Sequence, residues 1–161
     1  MNHCDYTQTG ILKTERLLIR KLTQDDFDAL FSIMSKPEVM YAWEHGFSKD
    51  DVHDWIERQL ARYRKDGISY FAVILKESGQ LIGQAGLMKT TMNGNEVVEI
   101  GYIFDNTCWH NGYATEVATH LIGYAFSALK LSAVYCSIRP ENEASISVAK
   151  RLGMEQCGSH T

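Results

Sequence analysis

Cys108-Trp109-His110-Asn111-Gly112-Tyr113-Ala114-Thr115-Glu116 is the stretch on which the reading of this chain turns. Before it, Glu96 to Phe104 has the composition of a strand; after it, Ala114, Val117, Ala118, Leu121, Ile122, Ala125 and Leu129 recur at helical spacing. A small-residue turn that opens a helix leaves several backbone N–H groups unpaired at the positive end of the helix dipole. Such a turn can cradle an anion, and phosphate is the commonest guest. Taken alone, it is equally an ordinary strand-to-helix turn containing a glycine.

Outward from this turn, the rest of the chain divides into short elements. Arg16 to Leu22 reads as a first strand. Thr23-Gln24-Asp25-Asp26 carries a helix start signal, and Ser48-Lys49-Asp50-Asp51 repeats it. The first of these helices places Phe27, Leu30, Phe31 and Met34 on one side and ends before Pro37. The second places Val52, Trp55, Ile56, Gln59, Leu60 and Tyr63 on one side and stops at Asp66-Gly67. Strands are expected over Ile68 to Leu75 and Leu81 to Lys89, and Asn93-Gly94 signals a hairpin into Glu96–Phe104. Beyond the glycine turn, Ala133 to Ile138 reads as a fifth strand. Glu143 to Leu152 reads as a last helix, capped by Gly153, and Met154 to Cys157 as a short sixth strand. The predicted class is α/β (α+β), in the order β-α-α-β-β-β-α-β-α-β with four helices. The β-α-β unit around the turn implies a parallel pair.

Composition narrows the function. The 161 residues suit one domain, with residues 1–11 a loose leading segment and 12–161 the domain. Apolar residues make up 45% and charged residues 22%, and the net charge is −4. No basic surface suggests nucleic acid, and no apolar run is long enough to span a membrane. Cys4, Cys108, Cys136 and Cys157 fit neither a zinc ribbon nor a disulfide framework, so free thiols in a cytoplasmic protein are expected. The scattered histidines show no metal spacing, so no metal is expected.

Three segments together carry a resemblance. They are Thr14-Glu15-Arg16-Leu17-Leu18-Ile19-Arg20; Glu99-Ile100-Gly101-Tyr102 followed by Trp109 to Glu116; and Asn142-Glu143-Ala144-Ser145 leading into Lys150-Arg151-Leu152-Gly153-Met154. In this order and spacing the chain resembles the GCN5-related N-acetyltransferase (GNAT) superfamily. The similarity is to its ribosomal-protein N-terminal acetyltransferase-like branch, over about residues 12 to 157. It departs from the family loop at His110 and Asn111, where Gly and Lys are common. The last strand of the family sheet is expected to be missing.

The resemblance implies direct acetyl transfer from acetyl-CoA to a primary amine, either a protein N-terminus or a small molecule, in a ternary complex. It assigns the pyrophosphate to Asn111, Gly112, Tyr113, Ala114 and Thr115. An oxyanion-binding N–H is implied near Ile103 or Phe104. Glu99, a carboxylate in an apolar strand, is the expected proton handler; a rim position or a structural ion pair is the alternative. Asn142 suits a helix N-cap and, by the resemblance, also a contact to the pantetheine arm. Ser145 is either a hydrogen-bond donor to the CoA sulfur or a plain first-turn serine. Trp43, His45 and Trp55 could line an acceptor site or simply pack. A non-catalytic acyl-CoA-binding module is the alternative function. Oligomeric state is open, a homodimer included.

Overall fold

The computed structural model describes residues 11–158, so the expected loose segment 1–11 (apart from Ile11) and Cys4 lie outside the described residues. Its centre is a five-stranded antiparallel sheet in chain order. β1 (Leu12–Lys13) pairs with β2 (Leu17–Arg20), and β2 with β3 (Tyr70–Leu75). β3 pairs with β4 (Leu81–Met92), and β4 with β5 (Asn95–Phe104). The β4–β5 register runs from Gly83↔Phe104 to Met92↔Asn95. Its turn has Asn93 at φ 53° and Gly94 at φ 83°. Two left-handed central residues match the strand twist, which is why Asn-Gly is favoured there.

Both predicted helix starts form as capping boxes. Thr23 and Asp26 exchange bonds before α1 (Phe27–Met34), and Ser48 and Asp51 do so before α2 (Lys49–Asp66). Each box satisfies two otherwise orphaned amides. Gly67, at φ 79°, closes α2 in the left-handed conformation that a Cβ disfavours. α1 and α2 cover one face of the sheet. Leu30, Ile33, Met34, Val52, Trp55 and Ile56 pack there against Tyr70, Ala72, Ile74 and Ile103.

The other face belongs to α3 (Tyr113–Ser127). Its Val117, Ala118, Leu121 and Ala125 meet Phe71, Val73, Ile82, Leu87, Val98, Ile100 and Phe104. Leu121 is fully buried, and a side chain of that size contributes about 1.5–3 kcal/mol by leaving water. β3 is therefore buried on both sides, which explains its continuous apolar run.

Polar bonds inside the core fix α2 against the sheet. Tyr63 donates its hydroxyl proton to the Tyr70 carbonyl and accepts the Leu22 N–H at 3.0 Å. The Gln59 amide donates to the Trp55 carbonyl at 3.1 Å, and its oxygen accepts from Ser69. Trp55 Nε1 donates to Gln84 Oε1 at 2.7 Å. These partners matter because an unpaired buried polar group costs about 1–3 kcal/mol.

Two predicted strands are corrected. Residues 133–138 form no strand; they touch the sheet through one parallel bridge, Glu99↔Tyr135. There Ile100 N–H donates to the Tyr135 carbonyl at 2.8 Å, and Tyr135 N–H to the Val98 carbonyl at 2.9 Å. A parallel partner is thus present, but only for a single residue. After α4 (Glu143–Arg151), Met154 to Cys157 is not a strand either, and no other strand follows among the described residues. An apolar run becomes a strand only where a neighbour offers its free edge, and past Ile100 the two segments part.

Candidate active site

Strand β5 and the start of α3 meet at the turn. A short 3-10 turn, Asn106–Cys108, leads from β5 into it. Trp109 Nε1 donates to the Phe104 carbonyl at 2.9 Å and ties the loop to the strand end. Asn111 Nδ2 donates to the carbonyls of Cys108 and Trp109 at 3.0 and 3.3 Å. Gly112 then turns left-handed at φ 80° and starts α3 with no side-chain cap. The first-turn amides of Tyr113, Ala114 and Thr115 therefore have no intrahelical acceptor. His110 is also left-handed, at φ 67°, and exposed.

A carboxylate stands one turn in. Glu116 accepts from the Thr14 hydroxyl at 2.6 Å, the Arg16 N–H at 2.9 Å and Arg16 Nε at 2.6 Å. Partial burial pushes its pKa up, but these donors outweigh it and hold the carboxyl below its ordinary range. The pair joins the start of β2 to the start of α3.

The outer edge of β5 faces residues 135–138. Val98 and Ile100 spend their edge groups on Tyr135. Strand alternation turns Tyr102 and Phe104 to the same edge and sends the Ile103 N–H back toward β4. Beyond the Tyr135 bridge, Tyr102 and Phe104 make no backbone bond to residues 136–138 among the described residues. Glu99 stands at the bridge, half-buried, with Oε2 accepting the Ser137 N–H at 3.0 Å. Burial, reinforced by the Glu99 charge, pushes the neighbouring Cys136 thiol up to about 11. Such a thiol is protonated at neutral pH and a poor nucleophile.

From the far side α4 closes in. Asn142 Oδ1 accepts the Ser145 N–H at 3.2 Å, a true N-cap. The Tyr102 hydroxyl donates to Ser145 Oγ at 3.3 Å, which leaves the serine its own proton to donate. Burial raises the Tyr102 pKa against the lowering effect of this bond.

A strand edge that parts from its neighbour, beside an uncapped helix start, matches a known architecture over most of the chain. The Acetyltransferase (GNAT) domain model matches residues 16–155. The chain belongs to the GNAT acetyltransferase family. The uncharacterized N-acetyltransferase YoaA of Bacillus subtilis is 31% identical over 150 residues, covering 92% of this chain and 84% of that protein. A GNAT-family acetyltransferase structure from Bacillus anthracis is 31% identical, with a TM-score of 0.80 and coverage of 91% of this chain and 84% of that one. The ribosomal-protein-S5-alanine acetyltransferase of Vibrio fischeri, 23% identical, shares the fold at a TM-score of 0.70 over 88% of this chain and 81% of its own.

In this GNAT acetyltransferase Glu99 lies at the Tyr135 bridge, Tyr102 meets Ser145, Asn142 caps the helix that carries Ser145, and Asn111 to Thr115 lead into α3. Ile103 contributes a buried side chain on the α1–α2 face instead. Trp55 is core, 3% exposed, with its N–H on Gln84. Trp43 stacks edge-on against it at 5.8 Å, and His45 is exposed beside the Gly46 carbonyl. Residues that sequence reading passed over hold the walls together. Arg139 donates to the Ala42 carbonyl at 3.2 Å and to Glu44 Oε2 at 2.8 Å, and lies 5.7 Å over the Tyr41 ring. No sequence signal links residues so far apart. Among the described residues no cluster of His, Cys, Asp and Glu could hold a metal, and no helix is long and apolar enough to cross a membrane.

Proposed function

We propose that this enzyme transfers the acetyl group of acetyl-CoA directly to a primary amine, a protein N-terminus or a small amine, bound at the same time. What carries the reading is the uncapped, left-handed start of α3 at Gly112, beside a strand edge that has lost its partner. That donor set fits a pyrophosphate: several amides converge at a positive helix end, with no side-chain cap bonded to them. Asn111, Gly112, Tyr113, Ala114 and Thr115 would hold it. Acetyl-CoA supplies an activated thioester, so the amine nitrogen forms the C–N bond as the C–S bond breaks and the sulfur leaves with the electron pair.

The chain's own groups serve the remaining needs. The edge amide of Phe104 is offered to the developing oxyanion, in a place largely shielded from water. Ser145, oriented by Asn142 and Tyr102, donates its proton in a hydrogen bond to the leaving sulfur. Glu99 Oε1 takes the proton that the amine must lose, directly or through a water, while Oε2 stays on Ser137. A lysine amine, with a pKa of about 10.4, needs that help more than an N-terminus at about 8.

The test is a melting curve with and without acetyl-CoA, joined to a thiol-release assay over an amine panel. Acetyl-CoA at a hundred times its Kd should add about 2.7 kcal/mol of stability. Thiol release should then depend on the amine. No thermal shift at saturating ligand would remove the cofactor assignment, and a shift without amine-dependent release would leave only binding.

A further inference from the structure

Arg16 approaches the start of α3 from the strand side and is held there on several sides. Its Nε donates to Glu116 Oε1 at 2.6 Å and its backbone N–H to Oε2 at 2.9 Å. Its guanidinium carbon lies 4.4 Å from the Tyr113 ring centroid. Its Nη2 lies 3.5 Å from the point a Cβ on Gly112 would occupy. The side chain remains 40% exposed, and its Nη atoms hold no hydrogen bond to another described residue.

Charge gives this placement its meaning. The turn from Cys108 to Thr115 contains no Lys or Arg, so its own residues offer an anion backbone dipoles, the Thr115 hydroxyl and His110; from α4, Arg151 Nη1 reaches Thr115 Oγ1 at 3.5 Å. Glu116, one turn further on, is kept ionised and by itself repels an anion at the helix start. Thr14 and Arg16 occupy both of its oxygens. The Glu116–Arg16 pair is neutral overall, but it is oriented: the carboxylate faces β2, and the guanidinium faces Gly112. A planar guanidinium with one edge anchored and one edge free suits phosphate oxygens, which it can bind in a fork.

We propose that Arg16 is a phosphate-binding residue of the acetyl-CoA site, anchored by Glu116 and Tyr113 so that its Nη atoms meet the pyrophosphate held at Gly112–Thr115. This rests on the acetyl-CoA reading above. It assigns to the first strand the cation that the loop itself lacks.

The test compares two ligands that differ in the phosphates: CoA, by isothermal titration, and pantetheine, by ligand-observed NMR. Arg16→Gln should weaken CoA by about tenfold or more, the worth of a charge-assisted hydrogen bond. Pantetheine binding should not change, and added salt should weaken CoA less in the variant than in the wild type. If Arg16→Gln does not fold, as its melting curve would reveal, Arg16→Lys decides. It keeps the charge but loses the fork, so CoA should weaken and pantetheine should not. Loss shared equally by the two ligands, or absent from both, overturns the proposal and leaves Arg16 a purely structural partner of Glu116. Wild-type protein that binds neither ligand removes the acetyl-CoA reading, and this inference with it.

Discussion

Glu99→Gln is expected to lower kcat/KM for the amine about a hundredfold, the lower end of what a positioned general base contributes. The substitution is nearly isosteric, and the glutamine oxygen can still accept the Ser137 N–H that Glu99 Oε2 now accepts at 3.0 Å. The local backbone is therefore retained while proton acceptance is lost. The KM for acetyl-CoA should stay near its wild-type value, because Glu99 lies in the middle of β5, before Phe104 and away from the Gly112 turn. The acid limb of the pH–rate profile should change, since it reports the base of the free enzyme. The loss should be greater with a lysine-like acceptor than with an N-terminal amine, so the same variant also sorts acceptor classes. A variant with wild-type turnover and a superimposable pH profile would return Glu99 to the role of holding Ser137.

Gly86→Ala should cost about 3 kcal/mol, or roughly 10 °C in Tm for a domain of this size. Gly86 faces Tyr70 across the β3–β4 pair. A Cβ there would overlap the Ser69 carbonyl and come within 2.7 Å of Tyr70 Cα. These are backbone atoms of a central strand, so no rotamer change relieves the clash. Tyr70 cannot retreat either, for its hydroxyl lies 2.6 Å from where a Cβ on Gly101 would stand. Ser69 is meanwhile bonded to Gln59 and the Tyr70 carbonyl to Tyr63, so a shift also disturbs α2. Thermal and urea unfolding measure the loss. A Tm within error of wild type would mean that the close approach of these two strands is not needed.

Local signals in the sequence translated well into structure. Thr23 to Asp26, Ser48 to Asp51, Gly67 and Asn93-Gly94 act within a few residues, and each formed as read. Ala133 to Ile138 did not, because its composition says strand while pairing depends on an edge supplied some forty residues earlier. The same limit applies to the site. Glu99, Asn142 and Ser145 could be singled out where they stood, since an acid within an apolar strand or a cap is visible in its own neighbourhood. Arg16 and Tyr102 read as parts of the resembling segments, with no partner assigned to either. Their meaning lies in Glu116 and Ser145, 100 and 43 residues away, and periodicity holds no record of such partners.

α4 owes little to the core. α3 buries Val117, Ala118, Leu121 and Ala125, whereas α4, which carries Ser145, has no fully buried residue. Apart from its N-cap, it is held by α3 and by bonds such as that from Tyr102. Its amides should therefore exchange with solvent deuterium through local opening, far sooner than those of β3 or β4. A ligand lying between β5 and α4 would contribute the contacts that this helix otherwise lacks. Protection appearing first in residues 143–151 would make α4 the part of the enzyme that acetyl-CoA itself completes, so that order on the sulfur side arrives with the substrate.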